Sequence, residues 1–173
     1  MPANIEIKAR VKDFSSLKKR AESLSDKPVQ VIQQEDTFFV IPEGRLKLRV
    51  LSAYHAQLVW YARADDTGPK RSDYQIYETH APDTLKTTLS LALGVRGVVR
   101  KTRYLYMAGQ TRIHLDDVEE LGTFMELEVV MQKGQSDAEG QIIAEELMEK
   151  LGIESGDLLN VAYMDMIDAA KGM

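Results

Sequence analysis

Near the start of the chain, Glu6, Lys8 and Arg10 alternate with Ile5, Ile7, Ala9 and Val11. A period of two puts the three charges on one face of a β-strand and the aliphatic residues on the other. The arrangement recurs. Arg45, Lys47 and Arg49 alternate with Leu46, Leu48 and Val50, Arg63 shares a face with Val59 and Tyr61, and Lys101 shares one with Arg103. Arg112, His114 and Asp116 alternate with Ile113 and Leu115, and Glu126 and Glu128 alternate with Met125, Leu127, Val129 and Met131. For any single strand the ordinary reading is a solvated face. As a set, however, the charges sit mid-strand and their signs are partly segregated, with carboxylates mainly in the first and last strands and cations in the middle ones.

A sheet that closes with these faces inward would line one wall of an enclosed space with cations. At an effective dielectric near 20, two like charges about 4 Å apart repel by roughly 4 kcal/mol, against about 1 kcal/mol in water. Such a wall tolerates emptiness poorly and favours a polyanion. Opposite it, Glu6, Glu126 and Glu128 would form a hard-oxygen cluster of the kind that holds Mg²⁺ or Mn²⁺ while leaving coordination positions for water and phosphate oxygens. A divalent cation bridging the carboxylates to a polyphosphate makes a coherent site for phosphoryl chemistry.

The elements that must position these residues are legible as alternating stretches. They are residues 4–11, 36–41, 45–51, 57–63, 72–78, 98–107, 111–118 and 123–131, with turns at Pro42-Glu43-Gly44, Thr67-Gly68-Pro69, Gly109 and Gly122. About eight strands joined mostly by short turns predict an antiparallel meander or barrel. Helical spacing predicts helices over 14–24 (Leu17, Ala21, Leu24), 83–93 (Leu85, Leu89, Ala92) and from the capping box Ser136–Glu139 to Gly152. A last helix is predicted over 156–170. The plan is α+β.

Length and composition bound the rest. A chain of 173 residues, 44% hydrophobic and 28% charged, reads as one globular domain over 1–173. There is no Cys, which excludes disulfides, thiolate nucleophiles and Cys-bound zinc, and fits a cytoplasmic protein. No apolar run long enough for a membrane span and no signal leader is visible, so no membrane partner is expected. The net charge of −5 argues against a nucleic-acid partner.

The motifs and their order resemble the CYTH superfamily, the triphosphate tunnel metalloenzymes, which include class IV adenylyl cyclases, thiamine triphosphatases and inorganic triphosphatases. The resemblance is carried by Asn4-Ile5-Glu6-Ile7-Lys8 where the family has E-x-E-x-K, and by Asp36-Thr37-Phe38-Phe39. Arg45-Leu46-Lys47-Leu48-Arg49, Lys101-Thr102-Arg103 and Glu126-Leu127-Glu128 complete it, over roughly residues 4 to 165. It implies an eight-stranded antiparallel β-barrel with flanking helices, forming a tunnel for a triphosphate. By position it implies that Lys8, Lys47, Arg49, Arg63, Lys101 and Arg103 contact phosphates. It likewise implies that Glu6, Glu126 and Glu128 hold Mg²⁺ or Mn²⁺, with Asp116 as a helper. Two departures stand out. Asn4 replaces the first family glutamate, and Asp73 and Gln75 stand where many members carry an E-x-E-like pair.

The remaining residues are read more plainly. His55 and His80 are expected in solvent at turns, and His114 is expected as a structural residue that shares the Arg112–Asp116 face. Trp60 is expected in the core, Tyr163 in core packing or over the tunnel mouth, and the methionines of the tail (Met164, Met166, Met173) in helix packing. No serine is accompanied by a His/Asp set, and Gly94-Val95-Arg96-Gly97 is not a phosphate-binding loop.

The function expected is metal-dependent hydrolysis of a small triphosphate (inorganic tripolyphosphate, a nucleoside triphosphate or thiamine triphosphate), with Lys8 as the general base. A cyclase making cyclic AMP from ATP and a non-catalytic binder of polyphosphate or nucleotides are the alternatives. The partner is a small-molecule triphosphate, and a homodimer is the assembly to test.

Overall fold

The computed structural model describes residues 1–64 and 67–172, so Met173 lies outside the described residues. The strands are β1 (Ala3–Arg10), β2 (Gln30–Phe39), β3 (Arg45–Ser52), β4 (His55–Arg63), β5 (Lys70–Thr79), β6 (Val95–Ala108), β7 (Thr111–Val118), β8 (Gly122–Val130) and β9 (Leu158–Leu159). The helices are α1 (Phe14–Leu24), α2 (Pro82–Leu93), α3 (Asp137–Leu151) and α4 (Tyr163–Ala170). The first eight strands pair antiparallel in the order β5-β4-β3-β2-β6-β7-β8-β1, and β1 pairs back onto β5, which closes the barrel. Closure removes most of the sheet edge that could template aggregation.

Period-two alternation then sorts every strand into an inside and an outside. The outward residues Ile7, Ala9, Tyr106, Ile113, Leu115, Met125 and Leu127 meet Leu17 and Ala21 of α1 and Leu147 and Leu151 of α3 in the main core. Ile5 and Val129 pack on Ala144 of α3. On the far side, Phe39, Leu48 and Ala56 pack against Leu85 and Leu89 of α2. These three apolar clusters therefore lie outside the barrel, between sheet and helices.

Local signals fix the helices. The Asp13 carboxylate accepts from the Ser16 amide at 3.0 Å at the start of α1. Ser136 and Glu139 cap each other's backbone at the start of α3, and Gly152 ends it in the left-handed conformation at φ 72°.

The continuous helix expected over 156–170 is corrected. Ser155–Asp157 form one 3₁₀ turn, Leu158–Leu159 form β9, and only Tyr163–Ala170 are α-helical. β5 pairs with β1 only as far as Glu6, and β9 takes up the next pairings, Leu159 with Lys8 and Leu158 with Ala9. Unmet ladder groups on β1 thus outcompete helix continuation.

Trp60 is also corrected. It is only partly buried, and its Nε1 donates to the Glu43 carbonyl at 3.2 Å across the β3 turn. Gly44 is required beneath it, because its φ is +72° and an added Cβ would come within 2.8 Å of that nitrogen. Among the described residues no helix is long and apolar enough to cross a membrane.

Leu127 is fully buried between β8 and the helices. Leu127→Ala is expected to lower unfolding stability by about 2–5 kcal/mol, read as a lower urea midpoint at unchanged slope.

Candidate functional site

The inward faces enclose a cavity of about 470 Å³. Its walls include Glu6 and Lys8 of β1, Lys47 and Arg49 of β3, Arg63 of β4, Lys101 and Arg103 of β6, and Glu126 and Glu128 of β8. One end is plugged. Tyr163, Met164 and Ile167 of α4 pack on Phe38, Val99, Val118 and Phe124. Arg45 and Arg96 both reach Asp165, at 2.9 and 2.6 Å, and pin α4 across that end.

Asp36 organises the cationic wall. Arg49 donates to both of its oxygens, at 2.8 and 2.7 Å, while Lys101 Nζ lies 3.0 Å and Lys47 Nζ 3.6 Å away. Burial alone would raise the Asp36 pKa, but Arg49, Lys101 and Lys47 outweigh it and hold the carboxyl well below its usual range. The lysines respond in the opposite sense. Burial and then Arg49 push Lys47 down to about 7; burial, opposed by Asp36 and assisted by Arg49, takes Lys101 to about 8.

A second anchor stands behind Arg103. Asp116 accepts from it at 2.8 and 2.7 Å and from the Tyr163 hydroxyl at 2.8 Å. Asp116 was expected as a helper at the metal. It is fully buried, and both of its oxygens accept from these donors, so it holds Arg103 in place. Tyr163 combines both expectations made for it, since it packs in the plug and also lines the cavity.

The carboxylates gather on the neighbouring strands. Glu6 faces Glu128 and Lys8 faces Glu126 in the β1–β8 register. Ligand atoms of His114, Glu126 and Glu128 lie within 4.8 Å of one another. Burial, and next repulsion from Glu128 and Glu126, pushes Glu6 up to about 7. Burial and Arg103 push His114 down to about 3, so its ring is neutral. Against the cost of burial, Lys8 and Arg103 keep Glu126 well below the normal carboxylate range. Two buried atoms here, His114 Nδ1 and Asn4 Oδ1, have no hydrogen-bond partner within the protein.

Lys8 joins the two halves. Its Nζ lies 3.3 Å from Glu126, donates to the Val161 carbonyl at 3.3 Å and sits 3.9 Å from the centre of the Tyr163 ring. Burial lowers its pKa, with Glu126 opposing and Arg63 assisting. Arg63 approaches Glu6 at 3.8 Å.

The structure therefore brings Lys8, Lys47, Arg49, Arg63, Lys101, Arg103, Glu6, Glu126 and Glu128 to one cavity. It separates Asp73 and Gln75 from it. The cavity face of β5 is Tyr74, Ile76 and Glu78, whereas Asp73 pairs with Arg71 outside at 3.0 Å and Gln75 is exposed. Their departure from the family pattern removes nothing from the lumen. His55 and His80 sit at the surface as expected. Asp36 carries no role in the sequence reading, although its parity with Phe38 was the signal that placed it inside.

Fold and site together define a closed antiparallel barrel with a charged tunnel. The chain belongs to the CYTH domain family, which matches residues 2–163. Among solved structures it is similar to the PH1012 protein of Pyrococcus horikoshii, with 25% identity, a TM-score of 0.82, and coverage of 94% of this chain and 98% of that one. It also shares its fold with a Vibrio parahaemolyticus protein described as a candidate adenylate cyclase (17% identity, TM-score 0.76, covering 95% and 97%). The third is HpAC1 of Hippeastrum, a candidate adenylyl cyclase with a dominant triphosphatase activity (15% identity, TM-score 0.66, covering 99% and 96%). No curated protein matches the sequence.

The two depressed lysines give the site a pH signature. A polyanion bound beside Lys47 and Lys101, whose values without it are about 7 and about 8, would restore their charged form. Tripolyphosphate titrated at pH 8 in EDTA should take up protons, seen calorimetrically in buffers of different ionisation enthalpy. Affinity should fall as pH rises from 7 to 9, by up to about tenfold per pH unit for each proton taken up. Lys47→Met should shrink the uptake.

Proposed function

We infer that the protein is a metal-dependent phosphohydrolase acting on a small triphosphate: inorganic tripolyphosphate, a nucleoside triphosphate or thiamine triphosphate. One observation carries this reading. Four cations on β3 and β6 line the same enclosed cavity as three carboxylates on β1 and β8. A polyanion satisfies the first group, and a divalent cation satisfies the second.

The donor set fits such a metal. Glu126 and Glu128 supply hard oxygens and neutral His114, whose Nδ1 is unpartnered, supplies one nitrogen, while Glu6 and the unpartnered Asn4 Oδ1 stand on the facing strand. That mixture suits Mg²⁺ or Mn²⁺, with the imidazole better tolerated by Mn²⁺. When bound, the ion supplies charge neutralisation at the transferred phosphoryl group and a position for the attacking water.

The chain's own residues do the rest. Lys47, Arg49, Lys101 and Arg103 bind the phosphate oxygens and neutralise charge that spreads outward as the terminal P–O bond breaks. Asp36 and Asp116 hold those cations in place beforehand, so little reorganisation is needed. Arg63 binds at the β4 side. Lys8 is the general base. Burial lowers the pKa of its Nζ against the pull of Glu126, which makes the proton on that nitrogen easier to lose, and the deprotonated amine accepts the proton of the attacking water. The α4 plug excludes bulk water behind it.

Phosphate release from tripolyphosphate, ATP and thiamine triphosphate, each with Mg²⁺ and with Mn²⁺, tests the reading. At least one pair should turn over, stop in EDTA, and fall by about 100-fold or more in kcat in Lys8→Ala and Glu126→Gln. Release from none of them would refute hydrolysis, and cyclic AMP with pyrophosphate from ATP would replace it by cyclisation.

A further inference from the structure

The chain has three histidines, and two of them meet at the rim of the barrel. In the β4–β5 ladder Gln57 faces Glu78 and Ala56 faces Thr79. One step further along, His55 stands opposite His80, with the two ring centres 6.1 Å apart. Period two puts His55 and Gln57 on one face of β4, and Glu78 and His80 on the matching face of the neighbouring chain. Gln57 and Glu78 line the cavity, so the histidine pair sits just beyond them where the lumen meets solvent.

The three side chains converge, and their neighbours orient them. His55 Nε2 lies 2.6 Å from Glu78 Oε2, and the planes of the two imidazoles differ by 31°. His80 Nδ1 lies 3.1 Å from the Tyr54 carbonyl, which only accepts. In the neutral ring Nδ1 therefore holds the proton and Nε2 keeps its lone pair. Gln57 Nε2 donates to Glu78 Oε1 at 2.8 Å, which turns Oε2 toward the histidines. A backbone carbonyl behind an imidazole and an amide behind a carboxylate are the supports that hold metal ligands in position. Two imidazoles and one carboxylate suit a borderline cation such as Zn²⁺ and leave a fourth tetrahedral position open. Bonds of about 2.0–2.1 Å to one such ion set ligand atoms about 3.3 Å apart, so the His55–Glu78 contact opens by less than about 1 Å. The His55 proton moves to Nδ1 and frees Nε2 for the metal. The side chains of His55 and Glu78 are 42% and 52% exposed, so these adjustments need no repacking.

We propose that His55, Glu78 and His80 form a second metal site, for Zn²⁺, at the barrel rim and apart from the carboxylates of the lumen. Its open position takes a water molecule. The donor sets separate the two places: the lumen offers mostly carboxylate oxygen, which suits a hard cation, whereas the rim offers mostly imidazole nitrogen. The rim site is independent of the triphosphate reading and stands or falls without it.

The third histidine makes the test clean. His114 belongs to the lumen cluster, so the ring signals of the three histidines in a nitrogen–proton NMR correlation report the two places separately. Zn²⁺ is titrated into the whole protein in excess Mg²⁺. The first equivalent should shift the His55 and His80 rings together, before the His114 ring moves. His55→Ala, His80→Ala and Glu78→Gln should each weaken this binding by about tenfold or more. Glu126→Gln, in the lumen, should leave it within about twofold. The three rim positions carry no core packing, and equal melting temperatures without metal check that the variants fold. If zinc shifts only His114 or no ring at all, or if the rim substitutions leave its affinity unchanged, the site is refuted.

Discussion

The interior of this barrel depends on a balance of buried charge, and Asp36 is its centre. This buried carboxylate faces buried Lys101 and the largely buried Arg49 and Lys47. Removing such ions from water costs several kcal/mol each, and removing one partner of a buried pair typically costs about 3–5 kcal/mol. A single anion among three cations compensates them only in part. The shortfall is visible in Lys47 and Lys101, which burial and neighbouring cations shift toward neutrality. The lumen is thus held together without a guest, yet it is left short of negative charge on this wall.

The acidic strands carry the opposite shortfall. Glu6 is driven toward its neutral form by burial and by Glu128 and Glu126, and His114 is already neutral. Two oppositely unbalanced walls sharing one cavity cannot relieve each other fully, because Asp36, Asp116 and Glu126 already engage the nearest cations. A barrel tolerates this strain because its stability comes from elsewhere. The aliphatic outer faces of β1, β6, β7 and β8 pack on α1 and α3 and are independent of the lumen. Separating the core from the site leaves the interior available for chemistry.

Much of this was legible in the chain because period two is a strong signal. The alternation of Lys47 and Arg49 with Leu46 and Leu48 required one charged and one apolar face, and closure of the sheet decided which was inside. What could not be read depends on three-dimensional neighbours. Asp116 has the residue type and parity of a ligand, and that Arg103 and Tyr163 bond to it shows only in three dimensions. Gln75, beside Asp73, looked like a lost carboxylate because sequence matching does not fix parity across a turn, and both residues face outward. Leu158–Leu159 have helical composition yet complete an unpaired edge of β1, a tertiary demand that local propensity does not contain. The His114–Glu126–Glu128 cluster needed the β7–β8 register, in which His114 faces Glu126.

If buried cations short of negative charge define this cavity, Asp36 and a bound polyanion serve the same need. Thermal unfolding of Asp36→Asn with and without tripolyphosphate, in EDTA, tests that directly. The account predicts a lower melting temperature for the variant in anion-free buffer, by about 3–5 kcal/mol of lost stability. It also predicts that tripolyphosphate raises this melting temperature more than it raises that of the native protein. A variant that melts like the native protein without anion, or gains nothing extra from tripolyphosphate, would contradict it.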